Sequence, residues 1–215
     1  MLSEMDGVPV VAVLRAPDSS RFVDVAAALV AGGVRAIELT LTTRGAIRAL
    51  RAVRSALPDD VRVGCGTVRT RQHVDAAIDA GADFLVSQIF NETLVVHAAS
   101  AGIEYIPGAL TPTEIVRAAE YGSPIVKVSP IGPFGGLDYL RELVGPLPDI
   151  SLFVTGGVKP AEAGSYIRAG AALVGLSGLL LGDALSSHGD LTALIERTRA
   201  AIATVPSSIN EGVRS

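Results

Sequence analysis

One cysteine, two lysines and no tryptophan occur in 215 residues, and aromatic residues make up only 4%. A lone Cys65 cannot close an internal disulfide, which excludes a disulfide-stapled secreted fold and leads us to expect a reducing, cytoplasmic setting. No block of one charge sign stands out. Eighteen Lys and Arg against 22 Asp and Glu give a net charge of −4, and without clustered basic residues nucleic acid is not expected as a partner. Long apolar runs are also missing. The longest, Ala169 to Gly182, holds four glycines in 14 residues and falls short of the ~20 that a membrane helix needs. Met1 to Gly7 is short and acidic, with no basic start leading into an apolar stretch, so a signal peptide is not expected.

What is present is aliphatic. Hydrophobic residues make up 49% and charged residues 19%, enough to bury a large core and to exclude global disorder. Eight short β-branched or leucine-rich runs alternate with segments of helical period: Val8–Leu14, Ala36–Leu41, Val61–Gly64, Phe84–Ser87, Glu104–Ile106, Ile125–Val128, Leu152–Val154 and Leu173–Leu176. Glycine ends most of the helical segments, Asp18, Ser19 and Ser20 stand ready to cap the first, and Asn91 to cap the fourth. Thr111-Pro112-Thr113-Glu114 spells a capping box with proline at the first helical position. The last helical stretch runs to about Ala203. Such alternation implies parallel strands with right-handed crossovers, and a count of eight favours closure. The expected fold is a single α/β domain, a (β/α)8 TIM barrel over residues 1–203, with 204–215 a polar, frayed tail.

Barrel chemistry sits at the C-terminal ends of the strands, and three strands carry a charge there: Arg15, Glu38 and Lys127. Lysine is scarce in this chain, yet one of the two lies within a strand that should be buried. Burial disfavours an ammonium relative to the neutral amine, the form that attacks a carbonyl to make a Schiff base. Lys127 is therefore either such a nucleophile or a lysine that reaches the rim or pairs with a carboxylate. Glu38 shares a strand face with Ala36 and Thr40, so a barrel interior would hold it with Lys127, as a general acid/base or as a structural ion partner. Arg15 suits a substrate carboxylate or phosphate, or a rim ion pair. Two glycine-bearing stretches, Thr155-Gly156-Gly157 and Gly175-Leu176-Ser177-Gly178, follow strands seven and eight, where barrels often hold phosphate on backbone N–H groups; tight turns would also need these glycines. Thr67, after Gly64-Cys65-Gly66, is placed to donate to a carboxylate. His73, His97 and His188 lack ligand spacing to each other or to Cys65, so neither a metal nor a cofactor is expected.

The stretches Val11-Ala12-Val13-Leu14-Arg15-Ala16, Ile37-Glu38-Leu39-Thr40, Gly64-Cys65-Gly66-Thr67-Val68, Pro107-Gly108-Ala109-Leu110-Thr111-Pro112-Thr113-Glu114, Lys127 with Pro130, and Thr155-Gly156-Gly157-Val158 resemble the bacterial 2-keto-3-deoxy-6-phosphogluconate aldolases, also known as 4-hydroxy-2-oxoglutarate aldolases. The resemblance covers about Val8 to Leu181. It implies a metal-free class I aldolase of carbohydrate metabolism (the Entner-Doudoroff pathway), in which Lys127 forms the Schiff base and Glu38 moves protons. It further implies that Thr67 and Thr155 contact the pyruvate portion and that the chain forms a homotrimer acting on a small keto acid; Pro107, Gly156, Gly157, Gly175, Ser177 and Gly178 are expected as further substrate-binding residues. The chain departs from the family pattern at Ser87-Gln88 (often Ser-Pro), at Val128-Ser129 after the lysine (usually an aromatic pair or Leu-Phe), at Ser177-Gly178, at Cys65, and at Thr42, where some members carry an arginine. Two other readings remain at this point: a phosphate-binding barrel with isomerase or transferase chemistry, and a ligand-binding relative that has lost turnover.

Overall fold

The structure, a computed structural model, describes Leu2 and residues 8–206. Among the described residues nine strands, all paired in parallel, form one sheet: β1 Val10–Leu14, β2 Ala36–Thr40, β3 Arg62–Gly66, β4 Phe84–Val86, β5 Glu104–Ile106, β6 Gly108–Ala109, β7 Ile125–Val128, β8 Ser151–Thr155 and β9 Leu173–Leu176. Between them lie α1 Phe22–Ala31, α2 Ala46–Ala56, α3 Arg71–Asp79, α4 Glu92–Ser100, α5 Pro112–Glu120, α6 Leu137–Val144 and α7 Ala163–Arg168, followed by α8 Gly178–Leu181 and α9 Leu191–Ile202.

The strand order is β5-β4-β3-β2-β1-β9-β8-β7-β6. The two ends of that sheet are consecutive stretches of chain joined at Pro107, so the sheet curls into a nearly closed barrel. The fifth expected strand is thus one strand that changes neighbours midway. Ile106 pairs with Val86 of β4, whereas Gly108 pairs with Lys127 of β7. Proline stands at the break and has no N–H to give to the ladder on the β7 side. Its carbonyl still accepts the Lys127 N–H at 2.8 Å.

Alternation along each strand builds two cores. Val11, Ala36, Phe84, Val86, Ile106, Ile125, Phe153 and Leu173 fill the barrel interior together with Leu2. Their sequence neighbours, such as Ile37, Leu39, Val126, Val128, Leu152 and Val154, face the helical layer.

Most caps follow the sequence reading. Asn91 Oδ1 accepts from the N–H groups of Thr93 and Leu94, and Thr111 with Glu114 forms the full capping box. Two local expectations are corrected. Asp18 caps a turn by accepting from Ser20 N and Oγ, and α1 starts only at Phe22 behind Arg21, with no side-chain cap. The final helical stretch is two helices rather than one: α8 stops at Gly182, whose φ is +57°, and α9 restarts behind Asp190, which accepts from Ala193 N. Thr204 is tied to α7 through the Gly164 N–H; the rest of the expected tail, 207–215, lies outside the described residues.

Candidate active site

Lys127 and Glu38 meet inside the barrel. Lys127 comes from β7 and Glu38 from β2, each on the inward phase of its strand, and their side chains are 8% and 1% exposed. Nζ lies 3.9 Å from Glu38 Oε1, close enough for charge attraction but longer than a hydrogen bond. Glu38 Oε2 is buried and has no hydrogen-bond partner among the described residues. A buried polar atom without a partner is costly unless a ligand or water completes it. On its other side Lys127 Nζ lies 5.9 Å from the centre of the Phe153 ring, two residues below Thr155 on β8. The pair therefore sits on the apolar floor formed by Phe153 and its interior neighbours.

Glycines make the space. A Cβ on Gly66 of β3 would overlap the Glu38 carboxylate, and one on Gly175 of β9 would lie 2.7 Å from Thr155 Cβ and Oγ1. Both are strand positions where a side chain would fill the cradle. Thr67, directly after β3, is the one non-glycine with positive φ among the described residues, at +62°. That conformation is a genuine outlier for a β-branched residue, the kind of local strain that collects at functional sites. Gly156 and Gly157 follow Thr155 with φ of +83° and +91°, and the turn packs on Pro130 and Gly132, with Gly132 N donating to Gly156 O at 2.8 Å.

Of the residues picked from the sequence, Lys127, Glu38, Pro107, Thr155 and Gly175 thus share the strand ends around one interior, with Thr67 and the Gly156–Gly157 turn following on. The others stand apart. Arg15 is exposed and, with Gly178, lines a cavity of about 610 Å³ between the end of β1 and the segment after α8, shared with Arg21, Leu181 and Asp183. Neither Lys127 nor Glu38 lines it. The Ser177 hydroxyl turns inward and donates to the Val13 carbonyl at 3.0 Å.

Cys65 points the other way, into the helix-facing core. Burial, reinforced by the nearby Glu38 charge, pushes its thiol up to about 12, so it is a packing residue and not a nucleophile. Sequence reading did not single out Gly66 or Phe153. Gly66 was visible as the second glycine of Gly64-Cys65-Gly66, but its role depends on which side chain faces it. Among the described residues no group of three His, Cys, Asp or Glu side chains is arranged to hold a metal ion, and no helix is long and apolar enough to cross a membrane.

The KDPG and KHG aldolase family model matches residues 1–196. The chain belongs to that family. It is 35% identical to the KHG/KDPG aldolase of Escherichia coli over 195 residues, covering 90% of this chain and 91% of the relative. It is 37% identical to the 2-dehydro-3-deoxy-phosphogluconate aldolase of Dickeya dadantii, with 91% of each chain covered. In three dimensions it matches the KDPG aldolase of Legionella pneumophila, solved with pyruvate captured as a covalent carbinolamine, with a TM-score of 0.84 at 27% identity over 93% of this chain and 96% of that one. Membership makes this protein an aldolase, a lyase that breaks carbon–carbon bonds, and sets aside isomerase or transferase chemistry.

Proposed function

We propose that this aldolase cleaves a 4-hydroxy-2-oxo acid to pyruvate and an aldehyde through a Schiff base on Lys127. The observation that carries this reading is the buried amine of Lys127, 3.9 Å from an equally buried carboxylate. The neutral amine adds to the C2 ketone, and loss of water from the carbinolamine leaves an iminium. Glu38, directly or through a water, takes the proton from the C4 hydroxyl. The C3–C4 bonding pair then moves toward the iminium nitrogen, giving an enamine and releasing the aldehyde. Protonation at C3 and hydrolysis return pyruvate and the free lysine.

Thr67 and Thr155 would hold the pyruvate carboxylate, with Pro107 beside it. The Gly156–Gly157 turn, Gly175, Ser177, Gly178 and Arg15 would receive the distal end. The aldehyde is glyceraldehyde 3-phosphate when the substrate is 2-dehydro-3-deoxy-phosphogluconate, and glyoxylate when it is 4-hydroxy-2-oxoglutarate. The enzyme would work as a homotrimer in the cytoplasm, without a metal or cofactor.

A retro-aldol assay linked to pyruvate detection, run over a panel of phosphorylated and unphosphorylated acids, tests the reading. The Ser177 hydroxyl is already engaged by Val13, so the distal site has one donor fewer for a phosphate. Comparable turnover of both classes is therefore expected, whereas a preference of about a thousandfold for the phosphorylated acid would require a full complement of phosphate donors. Pyruvate release from no member of the panel would refute the proposal.

A further inference from the structure

At the mouth of the barrel, Gln88, just past β4, donates its Nε2–H to the main-chain carbonyl of Ser129 at 2.9 Å. Ser129 lies two residues beyond Lys127. The strand between these two elements is the one that Pro107 interrupts, and above the break it is thinly tied. The two-residue β6 pairs with β7 only at Gly108↔Lys127 and Ala109↔Val128. On its other side Gly108 N makes a 3.3 Å bond to Ile89 O. The Gln88 main chain also presses on Gly108, where a Cβ would come within 2.7 Å of Gln88 Cα. Gln88 thus touches the residue that pairs with Lys127 and holds the residue through which β7 continues.

We propose that Gln88 is a positioning residue for Lys127: its amide ties the end of β7 back to β4 across the interrupted strand and so fixes the approach of the ε-amino group to the keto acid. The inference rests on the reading of Lys127 as the imine-forming lysine.

A single neutral hydrogen bond of this kind corresponds to an effect of about 2- to 10-fold. Gln88→Met removes the donor at similar length, and Gln88→Glu keeps the shape but offers only an acceptor at neutral pH. In both variants kcat and the rate of forming a borohydride-trappable adduct with pyruvate should fall together, within about that 2- to 10-fold range, while KM stays within about twofold and Tm is unchanged. Wild-type kcat in Gln88→Met overturns the proposal, because the bond would then be idle. A change confined to KM also overturns it, making Gln88 a direct substrate contact, and so does a loss of activity that merely tracks a lowered Tm. If the unaltered enzyme forms no pyruvate adduct at all, the Lys127 reading itself fails and this inference falls with it, a result distinct from any of the variant outcomes.

Discussion

Gly66 and Glu38 are packed so closely that a Cβ on residue 66 would overlap the Glu38 carboxylate. The glycine is what lets an acidic side chain occupy this level of the barrel beside Lys127. Gly66→Ala should therefore displace Glu38, cost about 1–3 kcal/mol of stability as overpacking does, and lower kcat by more than about tenfold through the misplaced carboxylate. Thermal unfolding and steady-state kinetics on the purified variant check both parts. Wild-type turnover in Gly66→Ala would show that the position of Glu38 is not critical.

Thr67 holds a φ of +62° at the end of β3. If that strain serves to aim its hydroxyl and N–H at the pyruvate carboxylate, Thr67→Gly should relax the backbone and raise stability, or leave it within about 1 kcal/mol, while weakening pyruvate binding. Calorimetric unfolding and the concentration dependence of pyruvate trapping measure the two effects separately. Tighter pyruvate binding in the glycine variant would contradict this role.

Cys65 should ignore thiol reagents in the native enzyme at pH 8 and react fully once unfolded. Its thiol is held near 12 in the fold against an ordinary 9.0, so between those values the unfolded chain loses the proton first. Folding stability therefore falls as pH rises through this window, with a slope approaching about 1.4 kcal/mol per pH unit from this group alone. Cys65→Ala should flatten that slope. Rapid native labelling accompanied by loss of activity would show that the thiol is open to solvent.

Much of the site is legible in the sequence because a strand has a period of two. Once Ala36–Thr40 is read as a strand, Glu38 must share a face with Ala36 and Thr40, and Lys127 is betrayed by the scarcity of lysine in an otherwise arginine-rich chain. What the sequence hides are facts of pairing between distant segments. Pro107 marks a break in any strand, but only the closed sheet shows that the break is a change of neighbour from β4 to β7. The Ser177 hydroxyl reads as a free phosphate donor until β9 is laid beside β1 and the Val13 carbonyl claims it. Arg15 has the right charge, and the fold adds that its side chain lies on the exposed rim and shares a cavity with Gly178. The division of the last helical stretch is itself legible, in Gly182 and in the turn-forming Ser186-Ser187-His188-Gly189-Asp190 before α9, and a reading of one stretch to about Ala203 passes over it.

The central claim is a covalent one, and borohydride reduction with pyruvate, followed by peptide mapping, tests it most directly. The wild-type enzyme should carry a stable three-carbon adduct on Lys127, and Lys127→Met should carry none. Glu38→Gln should still form the adduct while its aldol cleavage drops by about 10²–10⁴-fold, the range expected for a lost general acid/base. An adduct on Lys159, or carbon–carbon cleavage that survives in Lys127→Met, would contradict the account.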